Sequence, residues 1–170
     1  MKPYWKSRIL ATGLLSLLLS IVFSSCLPLE GCEDAATNPL RIGFYRTAAA
    51  TGRSTAIAID SLTVFGVNRT DSLLYNNRKN VRTIEVPLNP ASDSTRFVLV
   101  FPGNVIDTLL IMHLRQPILI SAECGFTMYY DINQVKHSLR YIQTIQIIQP
   151  LVKNTLEEHL RIFIPSVPGN

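Results

Sequence analysis

Apolar and polar residues alternate with a period of two along most of the chain after Leu40, and few folds accommodate such a pattern. Leu40, Ile42 and Phe44 form one alternating segment, and Ile84 and Val86 belong to another. Successive side chains of a strand point to opposite faces of a sheet, so such segments bury one face and expose the other. Eight to ten short strands separated by turn residues predict an all-β fold, an antiparallel β-sandwich of the immunoglobulin-like kind.

Two stretches refine this prediction. Residues 97–101 are continuously apolar, which is typical of a central strand that is covered on both faces. Asn133-Gln134 interrupts the pattern with residues that favour turns, so we predict a turn there between two strands.

The first 25 residues have the composition of a cleaved signal peptide. Residues 1–8 carry three basic side chains and no acidic one, and residues 9–23 are mostly apolar. This run falls short of the roughly 20 residues that a membrane-spanning helix needs. We therefore expect the leader, residues 1–25, to be removed. The alternative is an uncleaved N-terminal anchor.

The segment Phe23-Ser24-Ser25-Cys26 resembles the lipobox of bacterial lipoproteins, with Ser25 where Gly or Ala is more usual. The resemblance implies that Cys26 becomes the first mature residue and carries a diacylglyceryl group and an N-acyl chain such as palmitate. Several acyl chains hold a protein stably at a membrane. The predicted parts are a signal peptide (1–25), a lipidated tether (26–39), a β-sandwich domain (40–165) and a C-terminal tail (166–170).

The charge of the mature chain argues against a nucleic-acid partner. The leader holds three of the 16 basic residues and none of the 12 acidic ones, so residues 26–170 have a net charge of only +1. Nucleic-acid binding needs a concentrated basic surface, and the remaining arginines are scattered.

The sequence contains three cysteines, and a protein exported from the cytoplasm is in an oxidising compartment. If Cys26 carries lipid, Cys32 and Cys124 are left as a pair, and disulfides form and persist outside the cytoplasm. We therefore predict a Cys32–Cys124 disulfide. The alternative is two separate buried thiols.

No catalytic or metal-binding motif stands out. His113, His137 and His159 have no His or Cys at metal-ligand spacing, and the nearest cluster is His159 with Glu157 and Glu158. On a strand these three side chains would diverge, so a solvated strand face is the expected arrangement. The acids Asp107, Glu123 and Asp131 lie in different predicted strands. No sequence pattern indicates that two of them face each other as the catalytic carboxylates of a glycosidase do. We expect no cofactor, no metal and no enzymatic activity.

Four aspartates precede a hydroxyl residue in a recurrent triplet. The hydroxyl residues are Ser61, Ser72, Ser94 and Thr108. Asp-Ser and Asp-Thr pairs are good turn formers before a strand, because their side chains bond nearby backbone N–H groups. The triplets also resemble the acceptor signal for periplasmic O-glycosylation in Bacteroidota, which makes these four residues candidate sites. We expect at most two to be used.

Several aromatic residues are candidates for a binding surface. Tyr45, Tyr129 and Phe163 are expected on the strand faces opposite the stronger apolar stripes, and Tyr75 near a turn. Aromatic side chains on one sheet face could stack on a sugar or dock a protein. The alternative is that loops cover this face.

Three segments, together with the leader and Cys32, carry a family resemblance. They are Leu73-Leu74-Tyr75-Asn76, Val86-Pro87-Leu88-Asn89-Pro90 and Glu123-Cys124-Gly125-Phe126. The chain resembles a family of small Bacteroidota cell-envelope lipoproteins of unknown function. This implies an outer-membrane protein anchored to lipid through Cys26. The tether has no dense acidic run directly after Cys26, so we expect the domain to face the periplasm rather than the cell surface.

Two function classes remain open after this resemblance. The first is a non-enzymatic binding or structural role, such as an accessory subunit of an outer-membrane assembly with a protein or glycan partner. The second is a periplasmic enzyme that acts on a glycan or a peptide through acidic residues. We favour the first, because no pattern in the sequence brings catalytic groups together.

Overall fold

The computed structural model describes residues 38–48, 52–122 and 124–165. The predicted signal peptide, the lipidation site Cys26, Cys32, residue 123, the tether up to residue 37 and the tail 166–170 lie outside the described residues. The predicted domain, residues 40–165, is therefore described almost completely. No helix long and apolar enough to cross a membrane occurs in the described ranges.

Strands account for nearly all regular structure in this part of the chain, as the alternation predicts. They are β1 (Leu40–Thr47), β2 (Ser54–Ala56), β3 (Ile59–Gly66), β4 (Leu73–Val81), β5 (Thr83–Val86), β6 (Ser94–Phe101), β7 (Val105–Ser121), β8 (Gly125–His137), β9 (Thr144–Ile147), β10 (Leu151–Val152) and β11 (Leu160–Phe163). A single 3-10 turn, Pro102–Asn104, links β6 to β7.

The strands form two sheets. The five-stranded sheet has the order β2-β1-β11-β9, and β5 also pairs with β1. In this sheet β11 runs parallel to β1, with Phe44 opposite Ile162, while the other pairs are antiparallel. The six-stranded sheet has the order β10-β8-β7-β6-β3-β4 and is antiparallel throughout.

The two sheets share one apolar core. Alternate residues of β1 (Leu40, Ile42, Phe44) and of β6 (Phe97, Leu99, Phe101) are buried in it. The rings of Phe44 and Phe101 meet edge to face across the core, with 6.3 Å between their centroids. Full burial of such a side chain contributes about 1.5–3 kcal/mol, so these positions dominate the stability of the domain. The predicted β-sandwich is confirmed, and its immunoglobulin-like topology stays a prediction.

The predicted turn at Asn133-Gln134 is wrong, because both residues lie inside β8. Met112 is opposite Gln134, whereas His113 is opposite Ile132, so Asn133 is an extra residue in the ladder between β7 and β8. Such an extra residue is a β-bulge, which bends a strand without ending it. The two strands therefore continue as one long hairpin.

The far part of this hairpin extends past the rest of its sheet. β6 pairs with β7 only as far as Met112, and β10 pairs with β8 at Tyr130 and Asp131. Residues 116–122 and 124–129, which we call the hairpin end, therefore form a ribbon of two strands. Pro117 is tolerated within β7 because one edge of the strand is open there. A two-stranded ribbon is marginally stable by itself, so other contacts must support it.

Candidate functional site

Asp107, one of the candidate catalytic acids, is a buried structural group. Its carboxylate accepts hydrogen bonds from the Ser138 hydroxyl at 2.5 Å and from the backbone N–H groups of Arg140, Tyr141 and Ile142 at 2.7–3.0 Å. Burial alone would raise the pKa of Asp107, but the hydrogen bonds, above all the one from Ser138, outweigh it and lower the pKa below its ordinary value of 3.8. The carboxylate thus organises the loop that follows β8.

The expected solvated cluster at His159 is also wrong. His159 is fully buried, and its Nδ1 accepts the backbone N–H of Arg41 at 3.0 Å. Glu158 points elsewhere and accepts a hydrogen bond from Tyr45. The strand begins only at Leu160, so the expected strand geometry does not apply to residues 157–159.

His113 is the second fully buried histidine. Its Nε2 lies 3.0 Å from the Thr95 hydroxyl, and its ring meets the ring of Tyr130 edge to face at 5.0 Å between centroids. Burial lowers the pKa of His113 and also that of His159 below the ordinary value of 6.5, because burial disfavours the charged imidazole. Neither histidine is open to solvent for general base catalysis.

The lowered pKa values of His113 and His159 predict a loss of stability in mild acid. Below pH 6.5 the unfolded chain binds protons at these imidazoles more readily than the folded chain does, so the free energy of unfolding falls as the pH falls. Each imidazole contributes a slope of up to about 1.4 kcal/mol per pH unit. Urea unfolding between pH 8 and pH 5 measures this slope.

The control for this prediction is the double variant His113→Gln and His159→Asn, which keeps amide groups near the bonded nitrogens but cannot titrate. We expect it to have a flatter profile than the wild type over the same pH range. Equal slopes in the two proteins would contradict the assignment of the pH dependence to these histidines.

A polar cluster lies on the outer face of the five-stranded sheet. Glu158 accepts hydrogen bonds from the Tyr45 hydroxyl at 3.0 Å and from Arg161 Nε at 2.6 Å. The Arg161 guanidinium lies over the Tyr45 ring, 4.7 Å from its centroid. A Cβ at Gly43 would overlap the Glu158 carboxylate, so glycine is needed beneath it. Because these charges satisfy one another, the cluster fastens residue 158 to the sheet.

The expected aromatic binding face is only partly present. Phe163 is 5% exposed and packs against Tyr45, with 5.8 Å between the ring centroids. Tyr129 is partly buried in β8, and Tyr75 lies on β4 at the opposite edge of the same sheet. The four aromatic residues therefore do not form one surface.

The four candidate glycosylation sites lie in two kinds of surroundings. Ser72 is exposed and directly precedes β4, and Ser94 is the first residue of β6. Ser61 and Thr108 lie inside β3 and β7, so their triplets are not turns. Thr108 is exposed, whereas Ser61 and Ser94 are partly buried. Modification at up to two of these four positions stays a prediction, and Ser72 and Thr108 are the most accessible acceptors.

No group of three or more His, Cys, Asp or Glu side chains that could hold a metal ion occurs among the residues that the structure describes.

The hairpin end carries the largest group of exposed apolar side chains. Leu119 and Phe126 are opposite each other across the ribbon and are 57% and 72% exposed, and Ile118 and Ile120 are exposed beside them. The sequence analysis missed this surface, although residues 117–120 are consecutively apolar and so put apolar groups on both faces of a strand. Leu119 and Phe126 lie together on one face of the ribbon, and grouped exposed apolar side chains commonly mark an interaction site.

The start of the described chain lies against this same hairpin end. The Asn38 side-chain amide donates to the Thr127 hydroxyl at 2.9 Å and to the Met128 carbonyl at 2.8 Å. Asn38 also lines a cavity of about 740 Å³ whose walls include Pro87, Phe126 and Met128. The described part of the chain therefore begins at the hairpin end.

Cys124 lies in the turn at the tip of the hairpin, where its backbone N–H donates to the Ser121 hydroxyl. Cys124 is disulfide-bonded, and its partner lies outside the described residues. The two other cysteines are Cys26 and Cys32. Pairing with Cys32 stays a prediction.

One sequence family matches the chain, a family of unknown function, DUF6452, over residues 61–164. The matched region begins in β3 and ends just after β11, so it includes the whole hairpin. No curated protein and no solved structure gives a significant match.

Proposed function

Since the chain belongs to the family of unknown function DUF6452, to which no activity is assigned, we propose that it is a non-enzymatic binding protein of the bacterial outer membrane. In this proposal Cys26 carries lipid, the domain faces the periplasm, and the hairpin end docks onto a protein subunit of the same membrane. The protein then serves as an accessory subunit of an outer-membrane assembly.

The position of the exposed apolar hairpin end supports this role. Twelve residues separate Cys26 from Asn38, and a chain of that length spans at most about 40 Å. Asn38 is bonded to Thr127 and Met128, so a lipid on Cys26 would keep the hairpin end near the bilayer. An apolar surface held there is within reach of a membrane-embedded subunit.

The chemistry of the partner follows from this surface. Leu119, Ile120 and Phe126 carry no charge, and apolar and aromatic side chains dominate the cores of stable protein interfaces. No strand among the described residues pairs with the outer edge of β7 beyond Met112, so this edge can also accept a strand from another protein. We therefore expect a protein partner with an apolar surface rather than a soluble glycan.

The contacts and burial of the candidate catalytic groups also favour a binding role over a catalytic one. Asp107 is saturated with hydrogen bonds, and His113 and His159 are enclosed in the core. Glu158 is held by Tyr45 and Arg161. These groups are committed to structural contacts and do not meet in a cleft that a substrate could enter.

Site-specific photo-crosslinking in the native host tests this proposal. A photoreactive amino acid at Leu119 should capture one dominant protein from the membrane. The matched control is Leu139, which is 77% exposed but lies beyond the other end of β8, and it should capture nothing specific. A Cys26→Ala variant should lose the crosslink at position 119, because the domain is no longer held at the membrane.

Three outcomes would contradict the proposal. Recovery of the protein alone, or of the same adducts from positions 119 and 139, would exclude docking through the hairpin end. Adducts with lipid but not with protein would show that the hairpin end contacts the bilayer itself. Turnover of a glycan or peptide by the purified protein would favour the enzyme alternative.

A further inference from the structure

Another cavity lies at the β4 edge of the six-stranded sheet, where the chain passes from β4 to β5. Its volume is about 460 Å³, which is within the usual range for small-molecule sites. The walls are predominantly polar and include Tyr75, Arg78, Lys79, Arg82 and Glu85. Neither the hairpin end nor the cavity beside Asn38 contains these basic residues.

An irregular backbone shapes the wall that β4 contributes. Leu62 is opposite Arg78 and Val64 is opposite Tyr75, so β4 has one residue more than β3 in this stretch and forms a bulge. Asn77 and Asn80 have positive φ angles of 44° and 54°, which are uncommon for residues other than glycine. Bulges and unusual backbone angles redirect side chains and cluster at functional sites.

Tyr75 joins the two walls of the cavity. Its hydroxyl accepts the backbone N–H of Glu85 on β5 at 2.9 Å, so the side chain crosses from one sheet to the other. The Arg78 guanidinium lies 5.9 Å from the centroid of the Tyr75 ring. This contact holds Arg78 beside the cavity.

The cavity has an excess of positive charge. Arg78, Lys79 and Arg82 form no ion pair with any carboxylate in the part of the chain that the structure describes. The one acid in the wall, Glu85, is already paired with Arg41 at 2.8 Å. The residues that line this open cavity therefore include three exposed cations and a single carboxylate that is engaged outside their group.

Protection of a sheet edge is the simplest alternative explanation. Charged residues on an edge strand prevent association with other strands, and β4 is such an edge. Edge protection needs charges along β4. It does not require Arg82, which lies after β4, and it does not require the bulge and the Tyr75 side chain that border the cavity. The convergence of charges from β4 and from the residue that follows it points to a ligand.

We propose that this cavity binds the phosphate group of a small anionic ligand, independently of the proposed docking function. Arginine forks make paired hydrogen bonds to phosphate oxygens, and lysine adds a point charge. Two arginines and one lysine are opposite in charge to a phosphate monoester or diester and exceed it in magnitude. A free sugar phosphate and the headgroup of an anionic lipid share this chemistry.

Calorimetric titration of the full-length chain in non-ionic detergent at low ionic strength tests the proposal. The probes are inorganic phosphate, glucose 6-phosphate and dihexanoylphosphatidylglycerol, with dihexanoylphosphatidylcholine as the zwitterionic reference. We expect at least one anionic probe to bind and the reference not to bind. Binding of the first two probes identifies a soluble ligand, and binding of the anionic lipid alone identifies a headgroup.

Variants then assign the binding to the cavity. The double variant Arg78→Gln and Arg82→Gln should weaken binding at least about tenfold, because charge-assisted hydrogen bonds are lost. Arg78→Lys and Arg82→Lys together should give a smaller loss, since the charges remain. Arg140→Gln removes an exposed arginine elsewhere and should leave binding unchanged.

Clear results would overturn the proposal. They are the absence of binding by all three anionic probes, wild-type affinity in the Arg78→Gln and Arg82→Gln variant, or an equal loss in Arg140→Gln. Circular dichroism of each variant shows whether it is folded, so a loss of binding through unfolding is recognised. A folded double variant that retains binding would leave edge protection as the role of these residues.

Discussion

An Asp107→Ala variant is expected to lose about 3–5 kcal/mol of unfolding free energy, because it leaves four donors, among them the buried N–H of Ile142, without their acceptor. The Ser138 hydroxyl and three consecutive backbone N–H groups, from residues 140–142, all donate to this carboxylate. Ile142 is buried in the core directly after this loop, so a disordered loop would also loosen the packing there. Urea unfolding at pH 7 measures the loss.

Two further variants separate the causes of this effect. Asp107→Asn keeps the shape of the side chain but turns an amide donor toward at least one of the N–H groups, so it should also be destabilising. Asp93→Ala removes an exposed aspartate that is paired with Arg115, and surface ion pairs of this kind contribute less than about 1 kcal/mol. A loss in Asp107→Ala no greater than that in Asp93→Ala would contradict the structural role of Asp107.

Asp107 makes a second contribution to the loss of stability in acid, in addition to that of the two histidines. The folded-state pKa of Asp107 is below 3.8, so the unfolded chain takes up a proton there more readily than the folded chain. The stability that the carboxylate contributes is complete above about pH 4 and is lost as the pH falls further. This loss lies below the pH range in which His113 and His159 act.

Loss of the disulfide at Cys124 is expected to have an effect of similar size. If the partner is Cys32, the bond closes a loop of most of the domain, and the chain-entropy estimate for such a loop is about 4–5 kcal/mol. Cys32→Ser and Cys124→Ser should each lower the unfolding free energy by about 2–5 kcal/mol. The double variant should lose no more than either single variant, because the two thiols act as one unit.

The same variants decide which cysteine is the partner. Cys26→Ser should leave the stability of the domain unchanged, and its mass after alkylation should still show one disulfide. If Cys32→Ser retains a disulfide, the bond joins Cys26 to Cys124. Because a sulfur in a disulfide cannot carry a diacylglyceryl thioether, that result would also exclude lipidation at Cys26.

The strands could be predicted from the sequence because their signal is local. Alternation in β1 and continuous apolarity in β6 depend on neighbouring residues and on which sheet faces are covered. The prediction of a turn at Asn133 is wrong because the outcome there depends on pairing with another strand and not on a local signal. Asparagine favours turns, but pairing between β7 and β8 on both sides of residue 133 outweighs that preference and leaves a bulge.

The environment of each polar group could not be predicted in the same way. Asp107 is an ordinary Asp-Thr pair in the sequence, yet the N–H groups that it binds follow more than 30 residues later. His159 directly follows two glutamates in the sequence and is nevertheless in the core. Such contacts depend on how strands are paired and how the loops between them return, which no short window of sequence contains.

The sequence by itself determined that the domain is all-β and placed its main core positions, because a repeat of two residues has only one good solution in a sheet. The sequence also contains the leader and the lipobox-like segment that predict membrane attachment, and the three cysteines. Only the tertiary structure decided that Leu119 and Phe126 are exposed at the hairpin end near Asn38, and that Arg78, Lys79 and Arg82 line one cavity. The reason is register: a shift of one residue between neighbouring strands would reverse which side chains are buried and which are brought together.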